Sequence, residues 1–182
     1  MAILKLVPFK KKPGEEYINC SDVIKGEIDY IMRSDKIIHN ICGGHNFVMG
    51  TPAEIHMQFM ALTRWYNRDY HVPVRHLILS LDPYSYIEDS VTPYQLAMIA
   101  DRFCQHEFGY EHQVLYAVHE DSKSLHVHIL VNTVGLYNEG RLLRWDYSKE
   151  AEIYEWLSII LKMPYYWKGN HPIENLKMVY GD

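Results

Sequence analysis

Three histidines, His119, His126 and His128, are spaced in a way that suits metal binding. His126 and His128 are two residues apart in an apolar stretch. On a β-strand both imidazoles would leave the same face, with Cβ atoms about 6 to 7 Å apart. If residues 120–125 form a hairpin loop, His119 lies opposite or diagonal to His126 on that face. Three neutral imidazoles would then share one divalent ion and leave coordination positions open, as Lewis-acid catalysis needs. The alternative is a group of surface histidines on a polar sheet face.

Two further residues stand near this group. Asp121 follows His119 closely and is placed to hydrogen-bond it, which would fix the histidine tautomer; an ordinary hairpin-loop aspartate is the alternative. His76 lies on a predicted strand face that lines the same region. The remaining histidines have no partner at a spacing typical of metal sites.

Hydrophobic periodicity and turn signals predict the elements that position these residues. The predicted strands are Ile3–Phe9, Val74–Leu81, Gln113–His119 and Leu125–Val134, and the predicted helices are Ser21–Arg33, Thr51–Asn67, Thr92–Phe108 and Tyr147–Leu161. Thr51 and Thr92 each open a capping box followed by proline. The stretch around Gly43, Gly44 and Gly50 is predicted to be irregular. This order indicates an α+β domain in which helices pack on one face of a largely antiparallel sheet.

In the first predicted helix, Ile24, Ile28 and Ile31 recur at helical spacing and form a buried stripe. Tyr30 lies to one side of that stripe. It is therefore expected to border the core and still reach a site. Taken alone, it would be an ordinary half-buried helix tyrosine.

Composition limits the class of protein. The chain has 182 residues, of which 48% are hydrophobic, and this indicates a single domain over residues 1–182. No run of apolar residues is long enough to span a membrane, so we expect no membrane insertion. Three widely spaced cysteines indicate reduced thiols in a cytoplasmic protein. The net charge of -5 counts against nucleic-acid binding. A local basic cluster at Lys5, Lys10, Lys11 and Lys12, and the charge of a bound metal, would partly offset it.

The stretch from Ala117 to Asn132 resembles the third motif of relaxases. These are the mobilisation nucleases of conjugative and mobilisable plasmids, within the HUH (His-hydrophobic-His) superfamily. The pattern is HxD, a short gap, then HxH running into an apolar strand and Asn. The segment Asp29–Ile31 followed by Asp35-Lys36 resembles the first motif, and Arg75–Leu81 resembles the second. The resemblance runs from about Val23 to Gly140.

The resemblance implies a five-stranded antiparallel sheet with the active site on its open face. It implies that Tyr30 attacks a phosphodiester of single-stranded DNA at an origin of transfer, leaving a 5'-phosphotyrosine and a free 3'-hydroxyl. It further implies that His126 and His128 bind a divalent metal, magnesium or manganese with zinc as an alternative. His119 is the third ligand in some members and the base for the tyrosine in others; we expect a ligand.

Roles around this centre follow from the same resemblance. Asp121 would orient His119, and Ser80 would position DNA, with His76 and Lys36 as further DNA contacts. Relaxosome accessory proteins are candidate partners, and the setting is the bacterial cytoplasm. The sequence carries no feature that assigns an oligomeric state.

Three other functions compete with this one. A rolling-circle replication initiator or single-strand transposase would place its nucleophile after the HUH strand, where Tyr137, Tyr147 and Tyr154 are available. A non-catalytic DNA-binding accessory module of the relaxosome would suit the acidic charge. A structural metal protein would need a closed four-ligand site, and no fourth ligand is evident.

Overall fold

The computed structural model describes residues 2–7, 19–69, 71–81, 91–120, 125–161 and 165–167. The elements are β1 (Ala2–Val7), α1 (Cys20–Ile31), β2 (Ile37–His45), α2 (Pro52–Trp65), β3 (Val74–Leu81), α3 (Pro93–Glu107), β4 (His112–His119), β5 (His126–Gly135), α4 (Tyr147–Leu161) and β6 (Tyr165–Trp167).

The helix starts follow local capping chemistry. The Asn19 side chain accepts hydrogen bonds from the backbone at Ser21 and Asp22 and caps α1. Thr51 and Thr92 form the predicted capping boxes at α2 and α3, with proline at the first helical position of each. These side chains satisfy amides that would otherwise lack partners at the first turn, so the three helices begin at sharply defined residues.

One sheet runs through the described residues in the order β2-β4-β5-β3-β1-β6. The first five strands pair antiparallel, and the short β6 joins the edge parallel to β1. The predicted α+β class with a five-stranded antiparallel sheet is confirmed, and β6 extends it.

The prediction of an irregular stretch around Gly43 and Gly44 is wrong, because both residues lie in strand β2. Glycine clusters usually mark loops, but here the missing side chain makes room for a neighbour. A Cβ built on Gly43 would lie 2.4 Å from the hydroxyl of Tyr116 on β4. The strand is interrupted by a bulge between Ile37 and Cys42, where His39 and Asn40 adopt positive φ.

Helices lie on both faces of the sheet rather than on one. Helices α3 and α4 cover the face formed by alternate apolar residues such as Leu77, Tyr116 and Ile129. Helices α1 and α2 cover part of the opposite face, including Leu115 and Leu130. An amphipathic helix pattern specifies that one side is buried but does not specify which face of a sheet it packs on.

Candidate active site

The three histidines converge on the sheet face that α1 and α2 cover only in part. His119 pairs directly with His126 across β4 and β5, and Ala117 pairs with His128. The predicted opposition of His119 and His126 is therefore present. The three side chains are 1%, 7% and 1% exposed, and one ring nitrogen of each lies within 4.8 Å of the others.

This donor set fits a divalent metal ion. The three ring nitrogens lie within 4.8 Å of one another, and neutral imidazoles are ligands that zinc, manganese and similar ions accept. The Nε2 atom of His119 lies 2.8 Å from the carbonyl oxygen of Ile31. A carbonyl only accepts, so Nε2 carries the proton and Nδ1 carries the lone pair that a metal requires. His119 is therefore suited to act as a ligand.

Helix α1 places Tyr30 over the histidines. The Tyr30 ring centroid is 5.3 Å from that of His128, 6.1 Å from that of His76 and 6.3 Å from that of His119. Ile28 and Ile31 are fully buried while Tyr30 is 43% exposed, so the predicted position beside the apolar stripe is confirmed. The phenol touches the histidine group and also faces solvent.

His76 lies on β3 within the same group. Its Nε2 is 2.8 Å from Nδ1 of His128, and its Nδ1 is 2.8 Å from a carboxylate oxygen of Glu27 on α1. The carboxylate lies off the N–H direction, so the two groups are in contact without a well-aligned hydrogen bond. His76 is only 6% exposed and so offers little surface to DNA.

Sequence reasoning missed Glu27. A signal was available, because Glu27 precedes Tyr30 by three residues and residues at that spacing share a helix face. Its partner His76 is almost fifty positions away, so no local pattern joins the two.

The other predicted site residues lie at the margins of the histidine group or outside the described part. Ser80 pairs with His126 across β3 and β5, so both side chains leave the same face. Lys36 precedes Ile37, which pairs with His119, and its carbonyl accepts a hydrogen bond from the Glu120 amide. Asp121 lies outside the described residues.

Tyr137, one of the alternative nucleophiles, follows the far end of β5. It lies nine positions after His128, and the part of β5 from His128 to Gly135 spans about 23 Å. It is 64% exposed and remote from the histidines. The side chains of Tyr147 and Tyr154 lie outside the described part of the chain.

The sequence model of the family described as "Relaxase: MobA/VirD2-like, nuclease domain" matches residues 30–160, well over half of the chain. The chain belongs to this relaxase family. The match begins at Tyr30 and includes all three histidines of the site. No curated protein matches the chain.

Membership gives the relaxase site its general chemistry. Relaxase nuclease domains are DNA-nicking endonucleases of mobilisation that bind single-stranded DNA, and they normally use a divalent metal. The histidine group supplies three nitrogen ligands of the kind such a metal needs. In the described part of this relaxase, no helix is both long and apolar enough to cross a membrane.

Proposed function

We propose that this relaxase domain nicks single-stranded DNA at the transfer origin of a mobile element, with Tyr30 as the nucleophile. The proposal rests on the position of Tyr30. Its ring packs against His128, and the residue is 43% exposed to solvent. A nucleophile for a DNA phosphate must reach both the metal-binding residues and solvent. Tyr137, at the far end of β5, does not reach the histidines.

The proposed reaction is a transesterification. The Tyr30 oxygen forms a bond to phosphorus, and the bond between phosphorus and the 3'-oxygen breaks. The phenol proton leaves to solvent at the exposed side of the ring, and the departing 3'-oxygen takes up a proton. The products are a 5'-phosphotyrosine and a free 3'-hydroxyl, so the phosphodiester energy is retained for later rejoining.

His119, His126 and His128 would hold the metal. When bound, a divalent ion supplies positive charge that stabilises the phosphate as negative charge develops. We propose that His119 acts as a ligand rather than as the base for Tyr30, because its Nε2 faces the carbonyl of Ile31. Magnesium or manganese was expected, but the all-nitrogen donor set favours manganese or zinc over magnesium.

The surrounding residues would position DNA. Ser80 lies beside His126 and would donate to a phosphate next to the scissile bond. Lys36 lies at the strand end beside His119 and would contact a neighbouring phosphate. Asp121 was expected to orient His119 by a hydrogen bond, but the carbonyl of Ile31 and the metal would take both ring nitrogens of His119. We therefore propose that Asp121 acts on His119 through its negative charge. We further propose that residues 1–182 act as one domain in the bacterial cytoplasm, with basic relaxosome proteins as partners.

Covalent capture tests the nucleophile. The protein is incubated with manganese or magnesium and single-stranded oligonucleotides from the transfer region of its own element, and adducts are resolved on a denaturing gel. We expect an adduct with the wild type, none with Tyr30→Phe, and an undiminished one with Tyr137→Phe. Tyr137→Phe is a matched control because it removes the same hydroxyl from an exposed tyrosine.

Two outcomes would contradict the assignment. An adduct that survives Tyr30→Phe and disappears with Tyr137→Phe would favour the rolling-circle or transposase mechanism.

The net charge of -5 favours a second candidate function, that of a non-catalytic accessory module. Tight metal binding without an adduct on any oligonucleotide from the transfer region would support that candidate.

A further inference from the structure

Besides Tyr30, helix α1 contacts two histidines of the site, His76 and His119. Glu27 lies 2.8 Å from Nδ1 of His76, whose Nε2 lies 2.8 Å from Nδ1 of His128. One turn further along, the carbonyl of Ile31 lies 2.8 Å from Nε2 of His119. The side chains of His76, His119 and His128 are all more than nine-tenths buried, whereas Glu27 is 29% exposed.

The chain of contacts from Glu27 to His128 constrains where the protons reside. The Glu27 carboxylate lies 2.8 Å from Nδ1 of His76, and a negative charge that close favours the tautomer of His76 that carries its proton on Nδ1. The Nε2 atom of neutral His76 then accepts, and Nδ1 of His128 donates. This arrangement leaves the lone pair of His128 on Nε2, where a metal ion can bind it. The reverse orientation would place a proton on Nε2 of His128 and remove that ligand.

We propose that Glu27 and His76 are positioning residues that hold His128 in the tautomer required for metal binding. With the carbonyl of Ile31 acting on His119, helix α1 sets the tautomers of two of the three ligands. This inference deepens the proposed function, since it rests on the metal site that the proposed nicking reaction uses. It also gives His76 a buried structural task in place of the DNA contact expected from the sequence.

The arrangement links the nucleophile to the metal site through one helix. Glu27 and Tyr30 are three residues apart and lie on the same face of α1. A displacement of α1 would remove Tyr30 from the histidines and would also release the tautomers of His119 and His128. Metal binding should therefore hold α1 against the sheet, and α1 should in turn raise metal affinity.

Metal affinity tests this proposal without any DNA. Binding of manganese is measured by calorimetry, and binding of cobalt by its visible absorption, for the wild type, Glu27→Ala, His76→Phe and Asp22→Ala. Asp22→Ala is the matched control, because it removes an exposed carboxylate from the same helix. We expect about 10- to 100-fold weaker binding for Glu27→Ala and His76→Phe, as for partners of metal-bound histidines in general. The control should bind as the wild type does.

A spectroscopic readout separates positioning from general damage. Long-range proton–nitrogen correlation spectra of metal-free protein report which ring nitrogen of each histidine carries the proton. We expect His128 protonated on Nδ1 and His119 on Nε2 in the wild type. In Glu27→Ala, His128 should become a mixture of tautomers while His119 keeps its own. Thermal unfolding of each metal-free variant shows whether it is folded. If His76→Phe does not fold, the comparison of Glu27→Ala with the wild type is sufficient to test the proposal.

Several results would overturn the proposal. The first is that Glu27→Ala binds the metal as tightly as the wild type, and the second is that Asp22→Ala loses as much metal affinity as Glu27→Ala. The others are that the His128 tautomer is unchanged in Glu27→Ala, or that the wild type binds neither manganese nor cobalt. The covalent adduct assay is independent of these measurements. A loss of metal affinity in Glu27→Ala together with no adduct on any oligonucleotide would refute the nicking function and leave this inference intact.

Discussion

Tyr116 is a buried phenol on the face of the sheet opposite the histidines. Its hydroxyl donates a hydrogen bond to a carboxylate oxygen of Asp101 at 3.0 Å. Burial, and then the negative charge of Asp101, raise the pKa of Tyr116 far above its ordinary value. The folded protein therefore keeps this proton at a pH where an unfolded chain would lose it.

We expect this residue to make folding stability fall at high pH. The contribution of Tyr116 to the free energy of unfolding is fully present below about pH 10, the ordinary pKa of tyrosine. It is lost as pH rises above that value, because the unfolded state then binds fewer protons than the folded state. The slope from this one group approaches about 1.4 kcal/mol per pH unit. Urea unfolding of the wild type and Tyr116→Phe at pH 7, 10 and 11 measures it. The decline above pH 10 should be shallower in the variant, and parallel declines would contradict the prediction.

Site residues differ in how far the sequence could predict them. The histidine group followed from strand periodicity, because two histidines at spacing two share a face and a hairpin brings the third opposite. Tyr30 needed the motif order, since helical spacing alone leaves it an ordinary residue. Glu27 was not predicted, because its role depends on His76, which meets it only through the packing of α1 on β3.

At the scale of elements, strand β2 depends on a close approach to β4. A side chain on Gly43 would collide with the hydroxyl and ring of Tyr116. Gly26 on α1 is exposed and has nothing within 4 Å of the position a Cβ would take. The two glycines therefore respond in opposite ways to the same added methyl group.

We expect Gly43→Ala to lower the free energy of unfolding by about 1 to 3 kcal/mol, since it forces the packed Tyr116 ring to move. Gly26→Ala should raise it by about 0.5 to 1 kcal/mol, because alanine loses less backbone entropy in a helix. Urea unfolding of both variants at neutral pH provides the comparison. If the two substitutions change the free energy of unfolding equally, the Tyr116 ring does not exclude a side chain at position 43.

Elements with local start signals were predicted closely. Helices α2 and α3 begin at the prolines that follow Thr51 and Thr92, and β3 has the predicted bounds. Strand β2 was missed because its glycines serve a contact with β4, which is distant in sequence. The placement of helices on both faces was missed because hydrophobic periodicity identifies a buried side and not the surface that covers it.

The charge of the whole molecule bears on how it holds DNA. A net charge of -5 gives no broad positive field around the domain. Affinity for single-stranded DNA should then come from a few contacts near the site, such as the one proposed for Lys36, and from the proposed metal ion.

We expect a shallow dependence of DNA affinity on salt. Single strands lose affinity with a slope of about -0.7 per phosphate contact, so a few contacts give a slope no steeper than about -3 in log affinity against log salt. Fluorescence anisotropy of a labelled oligonucleotide between about 50 and 200 mM salt measures the slope. The Tyr30→Phe variant is used because, under the proposed mechanism, it would bind DNA without reacting. A slope of -6 or steeper would show that the domain neutralises DNA over a much larger surface.

The interruption in β2 has a consequence for contacts between molecules. Strand β2 forms one edge of the sheet, and a bulge between Ile37 and Cys42 breaks its outward row of amides and carbonyls. At the opposite edge of the described sheet, β6 spans only three residues. Within the part of the sheet that the structure describes, neither edge therefore presents a long flat template for an incoming strand. The same bulge that shapes the strand beside His119 thus disfavours edge-to-edge aggregation of this acidic domain.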